Sequence, residues 1–143
     1  MIRLATINDA EQLYTLNDEF NGSGDTTIES IRESLACNKQ EVVVVAEEKG
    51  ILVGFACVQI KKSFCYAECS AEITEVYVKP EYRKRGIAGA MISFAEEYCE
   101  EKYSVHKFEL LTERNNSTAQ SVYGKLGYKE DEEIHFVHIL PEE

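Results

Sequence analysis

The spacing of apolar residues changes along this chain, and each change marks an element. Ile2 to Ala5 is short and mostly apolar, and predicts an opening strand. Ala10, Leu13, Tyr14 and Phe20 then fall near helical intervals. Asn8, with Glu11 three positions on, resembles a capping box at the start of that helix. Asn21-Gly22-Ser23-Gly24 ends it. Thr26 and Glu29 form a second candidate box, before Ile28, Ile31 and Leu35 at i, i+3 and i+7, a second short helix. The period then shortens. Val42 to Val45 is a β-branched run, Lys49-Gly50 is a turn signal, and Ile51 to Ile60 is apolar and β-prone, which together predict an antiparallel hairpin. Ala71 to Val78 is a further strand, halted by Pro80. A helix is predicted from Gly86 to Lys102, with Ile87, Met91, Phe94, Ala95 and Tyr98 on one stripe. Phe108, Leu110 and Thr112 alternate as a strand. Ala119, Val122, Tyr123 and Leu126 form a helical stripe ending at Gly127, a favourable residue just past a helix end. Ile134 to Leu140 is predicted to close the chain as a strand.

The predicted order is β-α-α-β-β-β-α-β-α-β. Strand, helix, strand near the end implies a parallel pair with a right-handed crossover, while the hairpins before it are antiparallel. The expected class is α/β (α+β): a mixed, mostly antiparallel central sheet flanked by helices. With no repeat or linker in view, residues 1–143 are expected to form one domain.

Charge narrows the partners. The chain has 26 acidic and 15 basic residues, a net charge of −11. Such a surface opposes nucleic-acid binding, which needs a basic face, and favours cationic small molecules. No window approaches the 18 or so apolar residues of a membrane span, and Met1-Ile2-Arg3-Leu4-Ala5 lacks the layout of a secretory signal, so a cytoplasmic protein away from membranes is expected. Cys37, Cys57, Cys65, Cys69 and Cys99 read as reduced, mostly buried thiols, and no zinc-ligand spacing completes a metal site.

Against this acidic background, "PEYRKRGIAGAMI" (80–92) stands out. Arg83, Lys84 and Arg85 precede Gly86 at the junction of a long strand and a long helix. The first amides of a helix lack intrahelical partners and carry partial positive charge. Gly86 removes a side chain where a ligand must approach, and Ile87-Ala88-Gly89 keeps the first turn mostly small. The stretch suits a pyrophosphate. Neither G-x-x-x-x-G-K-[ST] nor G-x-G-x-x-G is present.

"EVYVKPEYRKRGIAGAMI" resembles motif A of the GCN5-related N-acetyltransferases (GNAT), with Arg83, Gly86 and Ala88 on [QR]-x-x-G-x-[GA]. Downstream, "NSTAQSVYGKLGY" resembles the family's N-x-x-A-x-x-x-Y-x-x-x-G-[FY] through Asn116, Ala119, Tyr123, Gly127 and Tyr128. Lys84 stands where the family often has glycine. The resemblance covers nearly the whole chain and implies acetyl-CoA as co-substrate, bound in a gap between two central strands. It implies that the amides of residues 84–89 hold the pyrophosphate, that the backbone around Val76, Tyr77 and Val78 pairs with the pantetheine arm, and that an amide near Val76 polarises the thioester carbonyl. Asn116 would cap its helix and touch the pantetheine, and Tyr123 would protonate the departing thiolate.

The implied acceptor is an amine of a small molecule or peptide. An alkyl amine with a pKa of about 10 arrives protonated and must lose that proton to attack. Glu75 is the first candidate base, directly or through a water, with Glu72 and His138 behind it. Asp18, Glu19, Asp25 and Glu29 would make the acceptor mouth acidic. The rival reading is a non-catalytic acyl-CoA-binding regulatory module, and a homodimer is left open.

Overall fold

The computed structural model describes residues 1–142. A five-stranded sheet runs in the order β1-β2-β3-β4-β5, so every strand lies beside its neighbour in sequence. The strands are β1 (Ile2–Leu4), β2 (Glu41–Glu48), β3 (Ile51–Lys61), β4 (Cys69–Val78) and β5 (Val105–Leu110). The first four pair antiparallel, and β4 and β5 pair in parallel. The helices are α1 (Ala10–Asn21), α2 (Ile28–Cys37), α3 (Ile87–Tyr103) and α4 (Ser117–Lys125). This is the mixed, mostly antiparallel sheet flanked by helices that the sequence predicts.

Both faces of the sheet are covered, which explains its continuous apolar strands. Along β2, alternation sends Val42, Val44 and Ala46 to one face and Val43 and Val45 to the other. The first face packs on Met91, Ile92, Ala95 and Cys99 of α3. The second packs on Leu13 and Leu16 of α1, with Ile31 and Leu35 of α2 at its margin.

Several boundaries differ from expectation, each for a physical reason. The turn into α1 is organised by Asp9 rather than by Asn8 and Glu11. The Asp9 carboxylate is buried, accepts the Thr6 N–H at 2.7 Å, and takes the Arg3 guanidinium in a fork at 2.8 and 2.9 Å. Arg3 also reaches Glu47 at 3.2 Å, tying β1, the turn and β2 together. The cap of α2 is Thr27, whose Oγ1 accepts the Ser30 N–H at 3.1 Å, not Thr26. Thr112 lies beyond β5, which ends at Leu110.

The largest correction is at the end of the chain. Residues 134–140 form no strand, and among the described residues no helix or strand follows α4. A strand exists only when an edge pairs with it, and this segment meets none in its own chain.

Replacing Asp9 with alanine is expected to cost about 1.5–3 kcal/mol, because it removes the partner of a charged, partly buried guanidinium. Urea unfolding checks this; an unchanged midpoint would contradict it. The Arg3 guanidinium, despite the opposing effect of burial, holds the Asp9 carboxyl below its usual pKa. The folded pKa is therefore lower than the unfolded value of about 3.9. The contribution is complete above that value and is lost as pH falls through the depressed one.

Candidate active site

The pairing of β4 with β5 is incomplete. It covers Cys69 to Ile73 on β4 and stops at Leu110 on β5. Beyond Ile73, β4 continues to Val78 and pairs only with β3. One edge of β4 from Thr74 to Val78 therefore faces a gap. The Lys79 N–H donates to Val53 O at 2.8 Å, which sets the phase of the ladder. Alternation then directs Tyr77 to hydrogen-bond with Phe55, and turns the backbone N–H and C=O of Val76 and Val78 into the gap. β3 approaches very closely here: a Cβ on Gly54 would lie 2.7 Å from Tyr77 O.

At the end of β4 the chain makes a short turn, Pro80–Tyr82, and enters α3 through the basic loop. Arg83 is a strut as well as a cation. Its Nε donates to Val78 O at 2.8 Å, occupying one of the carbonyls beside the gap. Arg85 donates to Glu81 O at 3.2 Å and stacks on Tyr82. Lys84 has φ +65° and Gly86 φ +79°, both left-handed. The first helical bond runs from the Ala90 N–H to Gly86 O. Among the described residues no acceptor takes the amides of Lys84, Arg85, Gly86, Ile87, Ala88 or Gly89. Six unpaired donors at a helix N-terminus, flanked by cations, form a cradle of the kind an anion fills.

Glu75 lies on the other side of the sheet from α3. It is directly opposite Cys57, which packs with the α1 and α2 cluster. Glu41 lies close enough for the charge on Glu75 to disfavour its own. Gln59 Nε2 donates to Glu41 Oε2 at 3.0 Å. Burial pushes the Glu75 pKa up. Burial also raises that of Glu41, aided by the charge of Glu75 and opposed by the Gln59 bond. The Cys57 thiol is held well above its ordinary value by burial and then by the two carboxylates, so it stays protonated. Nearby, Phe20 stacks on Tyr77 at 5.1 Å between centroids, and Tyr77 Oη donates to Glu19 at 3.4 Å.

Asn116 caps α4, its Oδ1 accepting the Ala119 N–H at 3.1 Å. The other end of α4 closes with Gly127 at φ +99°, its N–H on Gly124 O and the Tyr128 N–H on Tyr123 O at 3.0 Å. That double bond is the Schellman arrangement, and it holds the last turn that carries Tyr123. Tyr123 is half-buried against the α3-side core, edge-on to Tyr128. Burial raises its pKa above 10, so it remains a proton donor at neutral pH.

The structure thus gathers Val76, Tyr77, Val78 and residues 83–89 along one edge and loop, with Glu75 on one face of the sheet and Tyr123 on the other. Of the four acidic residues expected at the acceptor mouth, Glu19 reaches the sheet, where it also meets Lys79 at 3.7 Å. Glu72 is engaged by Lys61 at 2.7 Å, and His138 lies in the exposed end of the chain. Glu41 and Gln59 are the residues that sequence reading misses. Strand alternation could have placed them on one face, but only once the β2–β3 register was known.

Known proteins agree with this architecture. An N-acetyltransferase of Bacillus subtilis strain 168, itself uncharacterized, is 31% identical over 103 residues, which are 71% of this chain and 66% of that protein. A ribosomal-protein-alanine N-acetyltransferase from Brucella melitensis biovar Abortus 2308 superposes with a TM-score of 0.79 at 20% identity, over 97% of this chain and 99% of that one. The aminoglycoside acetyltransferase AAC(6')-Iy, solved with a bisubstrate analogue of CoA and acetylneamine, gives a TM-score of 0.85 at 22% identity, over 98% and 97% of the two chains. The profile of the acetyltransferase (GNAT) family matches residues 8–128, from Asn8 just before α1 to Tyr128 just past the last helix, and the chain belongs to that family.

Proposed function

We propose that the protein transfers an acetyl group from acetyl-CoA to a primary amine, with the gap beside β4 as the place of transfer. The open β4 edge leading into six unpaired loop amides carries this reading. A pantetheine arm has the amide groups to pair with Val76 and Val78 as an added strand does. The amides of residues 84–89, with Lys84 and Arg85 beside them, fit the pyrophosphate that follows it. Arg83 fixes the end of β4 against the loop, so arm and phosphate sites keep their spacing. Asn116 holds the start of α4, and on this reading it also touches the arm.

The acceptor enters from the α1 and α2 face. Glu19, Glu41 and Glu75, with the Phe20–Tyr77 wall, favour a cationic amine there. Glu75 removes the ammonium proton. The free amine attacks the thioester carbon, the C–N bond forms, and the Val76 N–H steadies the oxyanion. The C–S bond then breaks, Tyr123 Oη gives its proton to the thiolate, and the second proton of the former ammonium leaves the amide nitrogen and, through solvent, restores the Tyr123 hydroxyl. Cys57 does not take part as an acyl carrier, because its thiol stays protonated.

Acetyl-CoA is expected to stabilise the fold, by about 2.7 kcal/mol at 100 times its dissociation constant. Release of CoA thiol with a panel of amines then tests catalysis. Binding without release from any amine would indicate the regulatory module instead, and absence of both binding and release would overturn the site. Tyr123→Phe keeps the ring and removes only the hydroxyl. A thiol has a pKa of about 8.5, so its thiolate leaves readily and the acid is helpful rather than indispensable. A fall in kcat of about 100-fold, with the acetyl-CoA KM little changed, is expected. Wild-type kcat would return Tyr123 to a packing role.

A further inference from the structure

We infer that the hydrogen bond from Tyr128 to Glu96 sets the placement of α4 on α3, and through it the placement of the Tyr123 hydroxyl, so that Tyr128 and Glu96 are positioning residues for the transfer. The inference rests on the reading of Tyr123 as the acid. Tyr128 Oη donates to Glu96 Oε2 at 2.6 Å. Among the described residues, this is the one hydrogen bond or ion pair that joins residues 113–142 to the rest of the chain. Helix α4 needs such a tie. It is 9 residues long, and none of them is buried. A helix that short is not stable by itself in water.

Apolar contact holds α4 down without fixing its phase. Tyr123 and Leu126 pack half-buried on the α3-side core. Such contact is non-directional, and lets a short helix slide or turn about its axis. A hydrogen bond has a direction, and one to a carboxylate is roughly twice as strong as one between neutral groups. Tyr128 is gripped at both ends: its N–H donates to Tyr123 O at 3.0 Å, and its hydroxyl to Glu96. Between these two bonds its ring lies edge-on to the Tyr123 ring, with centroids 6.3 Å apart. The last turn of α4, which carries Tyr123, is thereby fixed to α3. Glu96 is a firm anchor, because its neighbour Ala95 and Met91, Ile92 and Cys99 on the same helix are buried.

The Tyr128 hydroxyl has no packing task. The family pattern that Gly127-Tyr128 matches admits phenylalanine as well as tyrosine, so the ring alone serves the core. What the hydroxyl adds is the bond to Glu96, which accepts from no other side chain among the described residues. Helix α3 also begins at the amide cradle, directly after Gly86. One helix therefore carries the phosphate loop at its start and, at Glu96, the anchor for the acid. Their separation is set by a rigid element rather than by the chain that connects β5 to α4. Such precision matters, since a misplacement of about 1 Å in a reacting group can cost about 100-fold in rate.

Tyr128→Phe in the full chain tests this, read by hydrogen exchange with mass spectrometry and by steady-state kinetics. The ring stays, so circular dichroism should be unchanged. Exchange in 119–125 should quicken at least about 10-fold. The kcat should fall about 10-fold, less than the roughly 100-fold expected of Tyr123→Phe, with the acetyl-CoA KM little changed. Glu96→Gln keeps an acceptor oxygen and should retain more activity than Glu96→Ala. In the Tyr123→Phe background, Tyr128→Phe should cause no further loss of kcat, because the hydroxyl it displaces is already gone. Equal losses in the two backgrounds overturn the proposal. So does unchanged exchange in 119–125, wild-type kcat in Tyr128→Phe, or a Glu96→Gln protein as impaired as Glu96→Ala. Wild-type kcat in Tyr123→Phe alone overturns the acid role on which the proposal rests, and is told apart by exchange in 119–125 that still quickens in Tyr128→Phe.

Discussion

Gly86→Val is expected to abolish measurable acetyl-CoA binding in a protein that still folds. Gly86 sits at φ +79° and ψ 11° immediately before α3. A Cβ there would meet nothing within 4 Å, so crowding is not the obstacle. Conformation is. A β-branched residue in the left-handed region is strained by roughly 1–3 kcal/mol. The loop relieves that strain by rotating out of the conformation, and the amides of Ile87 and Ala88 turn away from the cradle. Losing two hydrogen bonds to a charged group, at about 1.5–3 kcal/mol each, weakens binding at least about 100-fold. Calorimetry measures the affinity, and circular dichroism confirms the fold. Gly86→Ala should fall between the two, since alanine is less strained there. Wild-type affinity in a folded Gly86→Val protein would mean that the loop does not hold phosphate.

Glu75→Gln is expected to lower kcat by about 10² to 10⁴ at neutral pH. The loss should shrink as pH approaches the amine's own pKa of about 10, where the acceptor deprotonates unaided. Burial raises the Glu75 pKa, so wild-type activity should rise with pH through a value above the usual carboxylate range. The same shift gives an independent readout of folding. The folded pKa exceeds the unfolded one, so the carboxyl favours the unfolded state once pH passes through both. Glutamine removes that charge, and the variant should be at least as stable as wild type at pH 7. Parallel pH profiles for the two proteins, differing only by a constant factor, would exclude Glu75 as the base.

Much of this site is legible in the sequence because local rules write it there. Gly86 and Gly127 both mark left-handed turns, and the sequence places each at a helix boundary. The half-apolar stripe of α4 also carries Tyr123, so its packing is readable even where its chemistry needs the family pattern. Lys84 is a subtler case. Its positive φ accounts for the glycine common at that position, a constraint that the lysine itself conceals. Glu41 and Gln59 were hidden for a different reason. They stand 18 residues apart and meet only through the register of two strands. Asp9 displaced the expected cap because Arg3, on β1, draws its carboxylate inward. The end of the chain shows the limit most plainly: apolar content predicts a strand over 134–140, but a strand needs an edge to pair with, and that cannot be read from the segment itself.

The division of the site between two faces of the sheet has a kinetic consequence. On the proposed reading, the acyl donor occupies the gap from the loop and α3 side, and the amine arrives past Glu75 from the opposite side. On that reading neither needs to vacate its place before the other enters, and the acetyl group passes directly from donor to amine without being stored on a side chain. Initial velocities should therefore give intersecting, not parallel, double-reciprocal lines. Desulfo-CoA, which fills the donor position alone, should compete with acetyl-CoA but not with the amine. The acetylated product, leaving by its own opening, should inhibit without displacing the donor.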